Sequence, residues 1–250
     1  MTRIAIVSAM HEELAAVLSL VSPKKETVVA GRSFWIGQLH GHEVVAVLSR
    51  IGKVAAATTA TVLAERFGVQ RIVFTGVAGG LGRGVKVGDV VVADSFLQHD
   101  LDASPIFPRY EVPLYGCARF ATDPALTIAL AQAAADTLTD PLAALGADVV
   151  AEFALNAPQV HRGLVVSGDR FVSTTGESRV LCSALPDALA VEMEGAAIAQ
   201  VCHDYGMSFA AVRTISDRAD DAAHADFNRF IAAVASRYSA AVVDRLLKLL

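Results

Sequence analysis

Three apolar runs in this chain end in acid. Arg3 to Ala9 leads into Met10-His11-Glu12-Glu13. Ala190-Val191-Glu192-Met193-Glu194-Gly195-Ala196-Ala197-Ile198-Ala199 carries two carboxylates inside an otherwise apolar stretch, and Arg213-Thr214-Ile215-Ser216-Asp217 closes the third. Charges are rarely buried unless they are paired or used, so three such ends suggest one catalytic pocket built from strand termini. Each end also has a plainer explanation. Glu12 and Glu13 suit the first turn of a helix, where the macrodipole favours negative charge. Ser216-Asp217 suits an N-cap or an Asx turn. One of Glu192 and Glu194 suits an ion pair with Arg213, but basic residues in the core-like segments are too few for both. The two carboxylates share a face if the strand persists and diverge if a helix begins at Met193.

The elements that must position these groups alternate. Strands are expected over Arg3–Ser8, Arg71–Thr75, Asp89–Phe96, Val160–Ser167, Leu189–Met193 and Ser208–Ile215, and helices over His11–Val21, Lys53–Phe67, Pro124 to Leu138, Glu194–Tyr205 and Phe227–Leu250. Asp123-Pro124 is a helix start, with Asp as N-cap and Pro as the first helical residue. Thr27–Ala30, Ser33–Leu39 and Glu43–Leu48 form an antiparallel set around Gly-containing turns. The pattern predicts an α/β fold, a three-layer α/β/α sandwich with a central mixed sheet, in a single domain over 1–250. Ligands in such folds collect at the carboxyl ends of strands, where the acidic ends lie. The run Gly76-Val77-Ala78-Gly79-Gly80-Leu81-Gly82 fits neither GxGxxG nor a P-loop. It reads equally as a tight turn or as backbone, around Ala78 and Gly79, that comes close to a flat ligand such as a nucleobase or sugar.

Composition narrows the partners. The chain has 250 residues, 54% of them hydrophobic, and a net charge of −5. No basic block offers a face to nucleic acid. No apolar run approaches the roughly 18–20 residues of a spanning helix, so no membrane is expected, and the start lacks a signal-peptide cleavage site. The three cysteines are dispersed, with no CxxC, and fit a reducing compartment, so a cytoplasmic location is expected. The seven histidines show no metal-ligand spacing; His99-Asp100-Leu101-Asp102 reads as a polar loop.

Seven segments in order carry a resemblance: Ala9-Met10-His11-Glu12-Glu13, Ile51-Gly52-Lys53-Val54-Ala55-Ala56-Ala57, Thr75-Gly76-Val77-Ala78-Gly79-Gly80, Val87-Gly88-Asp89-Val90-Val91, Val166-Ser167-Gly168-Asp169, Val191-Glu192-Met193-Glu194 and Ile215-Ser216-Asp217. Together they resemble the bacterial 5′-methylthioadenosine/S-adenosylhomocysteine nucleosidases of the nucleoside phosphorylase-like superfamily. The resemblance implies hydrolysis of the N-glycosidic bond of thio-substituted adenosines, no metal or redox cofactor, a small-molecule nucleoside substrate and a homodimer. It implies that Asp217, supported by Ser216, protonates adenine N7. Glu13 would activate water, with Arg213 positioning it, and Glu194 beside Met193 would hold the ribose hydroxyls and stabilise the cationic sugar. Phe171 would stack on adenine while the Val172 backbone reads its edge, and Met10, Ile51 and Phe227 would take the 5′-alkylthio group. This is the two-carboxylate logic of inverting glycosidases applied to an N-riboside.

The chain departs from that pattern at four places. Val77 stands where many members carry a small hydroxyl residue. Arg50 stands where Gly is common, and either reaches the substrate tail or points to solvent. The loop from Ala103 to Pro113 matches the tail-binding segment poorly; Phe107–Pro113 is expected to reach a neighbouring subunit. The stretch Thr139 to Gln159 is long. These leave other 5′ substituents open, among them an aminodeoxyfutalosine. A purine nucleoside phosphorylase is disfavoured because Glu12 and Glu13 would repel phosphate, and a non-catalytic nucleoside-binding relative because all three carboxylates are present.

Overall fold

The computed structural model describes residues 3–220 and 227–250. Its order is β1 (Ile4–Ser8), α1 (His11–Leu18), β2 (Lys24–Val29), β3 (Arg32–Leu39), β4 (His42–Leu48), α2 (Lys53–Phe67), β5 (Arg71–Gly80), β6 (Val90–Gln98), β7 (Arg119–Ala121) and α3 (Pro124–Leu138). Then follow α4 (Pro141–Leu145), α5 (Ala147–Glu152), β8 (Val160–Ser167), α6 (Thr175–Ala184), β9 (Ala188–Glu192), α7 (Gly195–Tyr205), β10 (Ser208–Asp217), α8 (Phe227–Phe230) and α9 (Ser236–Leu249). A π turn over Ile231–Ala235 joins the last two.

One mixed sheet runs through the molecule. β5 pairs in parallel with β1 and β10, and β1 pairs in parallel with β4, which carries β3 and β2 as an antiparallel extension. On the other side β10 pairs with β6, β6 with β8, β8 with β9, and β9 returns to β5 through Gly79 and Gly80. The sheet thus closes into a ring at this end, and the carboxyl ends of β5, β8 and β9 come together around the parallel end of β10. The central strands β1, β5 and β10 are almost wholly buried because helices cover both faces, whereas β2 at the edge is largely exposed. Ala56, Ala60, Leu63 and Phe67 of α2 join α7 residues Ala196 to Ala199 in one apolar cluster; α1, α3 and α9 build the second through Val17, Leu130, Tyr238 and Val242. This is the expected mixed α/β layering.

The glycine run is not a turn. Gly76 to Gly80 continue β5, because pairing to β10 and then to β9 keeps that stretch extended. The long segment after α3 folds into α4 and α5. Among the described residues no helix is long and apolar enough to cross a membrane.

Candidate active site

A cavity of about 150 Å³ opens at these strand ends. Its wall brings together Met10, Ile51, Ala78, Gly79, Phe171, Val172, Met193, Glu194, Ser216, Asp217 and Phe227, along with Val77 and Glu192. Two expected residues, Glu13 and Arg213, lie behind that wall, fully buried.

Asp217 reaches the cavity through a bulge. β10 stays in register with β5 up to Ile215 opposite Ala78, then slips so that Asp217, not Ser216, stands opposite Gly79. An extra residue of this kind re-aims the side chains around it. The Ser216 hydroxyl donates to Asp217 Oδ2 at 2.8 Å, and the Ala219 N–H donates to Oδ1 at 2.8 Å. A Cβ on residue 79 would sit 3.0 Å from Oδ1, so glycine is what lets the carboxyl lie against the β5 backbone.

The pair of glutamates splits. β9 ends at Glu192 and α7 begins at Gly195, so the two side chains diverge. Glu192 closes the start of α7: its carboxylate accepts the N–H groups of Glu194 (3.1 Å) and Gly195 (2.9 Å), which suits negative charge at a helix N-terminus. It also accepts from the Ser167 hydroxyl and from Arg213 Nη2, the latter at 2.7 Å. Arg213 is held by Glu192, the ion pair that the sequence suggested for one of the two glutamates, and lies over the Phe74 ring, 3.7 Å from its centroid. Glu194 turns to the cavity and accepts the Gly52 N–H at the start of α2, at 2.9 Å.

Burial raises the pKa of Glu13 to about 7, against the opposing charge of Arg213 and a hydrogen bond from the Met10 N–H. The Ser239 hydroxyl, on α9, donates to its other oxygen at 3.4 Å. Glu194 is pushed up as well, first by burial and then by the negative charge of Glu192, while Gly52 and Arg213 pull it back. Arg213 therefore acts on both carboxyls through its field. Among the described residues no three His, Cys, Asp or Glu side chains converge as a metal site requires.

The family model of the phosphorylase superfamily matches residues 3–248. The chain covers all of the Neisseria meningitidis 5′-methylthioadenosine/S-adenosylhomocysteine nucleosidase solved with methylthio-immucillin-A, which is covered whole in turn, at 34% identity and a TM-score of 0.87. The Streptococcus pneumoniae nucleosidase with a transition-state inhibitor matches at 33% identity and 0.84, each chain 99% covered. A Helicobacter pylori futalosine hydrolase matches at 32% identity and 0.84, over 100% of this chain and 98% of that one. The chain belongs to the phosphorylase superfamily, in its 5′-methylthioadenosine/S-adenosylhomocysteine nucleosidase family.

In this nucleosidase family member the cavity opens to solvent beside Ile51 and Phe171. Ile51 is 62% exposed and Phe171 is 41% exposed, the latter meeting the Phe227 ring edge to face at 5.8 Å. Arg50 turns away from the cavity and donates to the Gly31 carbonyl, with a left-handed φ of +63°. That backbone is one for which glycine is the natural occupant, matching the Gly common at this place in the family. Lys53 joins two loops at the site, through Asp100 at 2.6 Å and, via its own N–H, Asp169 at 2.8 Å. Side-chain reasoning missed Gly52 and Ser239. Gly52 acts through its backbone, and nothing in the apolar stripe of the last helix marks Ser239 as facing Glu13.

Proposed function

We propose that this chain hydrolyses the N-glycosidic bond of 5′-methylthioadenosine or S-adenosylhomocysteine, releasing adenine and the thioribose. The observation that carries this reading is the convergence of three buried carboxyls on one cavity, with Asp217 and Glu194 in its wall and Glu13 behind Met10. Breaking the bond builds positive charge on the sugar and negative charge on the departing base. In this reading Asp217 delivers a proton to adenine N7, and Ser216 fixes the carboxyl that delivers it. Glu194, held by Gly52, binds the ribose hydroxyls and faces the developing cation. Glu13, with a pKa near neutrality, takes the proton of the attacking water, a value suited to a general base. Phe171 and Val172 hold the adenine. Met10, Ile51 and Phe227 receive the 5′ substituent.

The test is incubation with several 5′-substituted adenosines, with and without phosphate. Adenine and free thioribose are expected in both cases; ribose 1-phosphate derivatives would overturn hydrolysis. A nucleoside with a larger 5′ group, as in futalosine-type substrates, is the second reading, supported by the open tail end and by the likeness to the Helicobacter pylori futalosine hydrolase.

We further propose a cytoplasmic homodimer acting in methionine salvage and nucleoside catabolism. Support for the compartment comes from three cysteines that form no disulfide. Support for the dimer comes from Ile106 and Leu114, 81% and 91% exposed on either side of the Phe107–Pro113 segment. Light scattering giving twice the chain mass is the expected result.

A further inference from the structure

A groove of about 730 Å³ adjoins the cavity and shares Ala9, Met10 and Ile51 with it. Its apolar floor includes Leu14, Leu18 and Trp35, but two guanidinium groups, Arg32 and Arg50, stand at its edge. Among the described residues their hydrogen-bond partners are all neutral. Arg32 donates to the Ala30 and Ala55 carbonyls and, at 2.8 Å, to the Thr59 hydroxyl, and Arg50 donates to the Gly31 carbonyl. Neither forms an ion pair among the described residues, and what sets them apart is that they stand side by side on one groove. Burial and the neighbouring Arg50 charge both push Arg32 below its ordinary pKa. Two like charges held together without a counter-ion form an anion site in waiting. The groove begins at Met10 and Ile51, where the 5′ substituent of a bound nucleoside would leave the cavity.

We infer that this groove receives a 5′ tail ending in a carboxylate, with Arg50 and Arg32 as its counter-charge. This rests on the nucleosidase reading for the placement of the sugar, and it names the tail that reading leaves open. Arg50 is a specificity residue here and touches no reacting atom. The carboxylate can belong to an amino-acid tail or to one without an ammonium group.

The test is titration calorimetry with 7-deaza nucleosides, which lack the atom to be protonated and so stay intact. Three tails are compared: butylthio, 3-carboxypropylthio and homocysteinyl. The carboxypropyl ligand is expected to bind about fivefold more tightly than the butyl ligand at low salt, the modest gain of a half-exposed pair, and the ratio shrinks as salt rises. Arg50→Ala brings the ratio near one, and Arg50→Glu inverts it; both sit on an exposed side chain, so folding is kept even where Arg32→Ala fails. A wild-type ratio near one, or a ratio untouched by Arg50→Glu, would overturn the inference. Equal binding of the homocysteinyl ligand assigns an amino-acid tail, and weaker binding a tail without an ammonium. Failure of the parent reading shows separately, as absence of adenine release from every hydrolysable adenosine derivative.

Discussion

The floor of the cavity and the groove beside it treat charge in opposite ways. At the floor, Glu192 and Arg213 are almost fully buried and matched to each other, and Glu192 is tied down by Ser167 and the start of α7. In the groove, Arg32 and Arg50 are at least partly exposed and balanced by no carboxylate among the described residues. Burial explains the contrast. A charge removed from water must be compensated within the fold or it costs several kcal/mol, whereas an exposed guanidinium keeps its hydration and can wait for a ligand. The buried guanidinium is therefore matched within the fold, and one departure from the family pattern, Arg50, stands where charge is left open.

The largest effect should come from the wall itself. Asp217→Asn keeps the shape and the hydrogen bond from Ala219 but cannot serve as the acid. Adenine release is expected to fall by roughly 10²–10⁴-fold with the unfolding midpoint little changed. Turnover close to wild type would remove Asp217 from the acid role.

Next in size is the floor. Arg213→Met leaves the buried Glu192 carboxylate without its partner, and should lower stability by about 3–5 kcal/mol in urea unfolding. Pairing it with Glu192→Gln should recover part of that loss, since no buried charge then lacks its partner. If Arg213→Met cost under about 1 kcal/mol, the matching of charge under the floor would not be what holds it.

What was legible in the sequence divides along similar lines. Apolar strands such as Val160–Ser167 and the helix Lys53–Phe67 stand out by pattern, and both appear with those bounds. Helix α6 did not, because only Leu181 of its ten residues is buried and no apolar stripe marks it. The glycines of β5 looked equally like a turn, since what keeps them extended is pairing to β10 and β9, far away in sequence. At the site, carboxylates in apolar runs were visible as a class. Which of them is structural was settled by the end of β9 at Glu192, a boundary no single residue announces. The field of Arg213 on Glu13 and Glu194 depends on three separate elements meeting, and so lay beyond any local pattern.

A buried carboxyl with a raised pKa gives a third test. Unfolded, Glu13 loses its proton near 4.5; folded, it holds it to about 7. Between these values the native state binds more protons, so stability falls as pH rises through this window and levels off above it. The loss amounts to about 3 kcal/mol if the shift is near its full size. Glu13→Gln should remove its share of the decline in urea midpoint between pH 5 and 8, leaving the share of the similarly raised Glu194, and abolish water activation. An unchanged decline would mean that Glu13 is not the group responsible. Wild-type kcat should rise with pH through about 7 as this base ionises.

The smallest effect separates the groove from the floor most cleanly. Arg50 holds a left-handed φ of +63°, a conformation costing a side-chain-bearing residue about 1 kcal/mol that glycine avoids. The hydrogen bond its guanidinium donates to the Gly31 carbonyl lies at the surface, where the carbonyl can turn to water instead. Arg50→Gly should therefore raise stability by about 0.5–1 kcal/mol while it weakens discrimination in favour of a carboxylate tail. Removing Arg213 from the floor and Arg50 from the groove would then shift stability in opposite directions, although both changes delete a guanidinium. A lower melting midpoint for Arg50→Gly would mean that the contact with Gly31 outweighs the backbone cost. The groove arginine would then be part of what holds the fold, like Arg213, and not a charge kept open for a ligand.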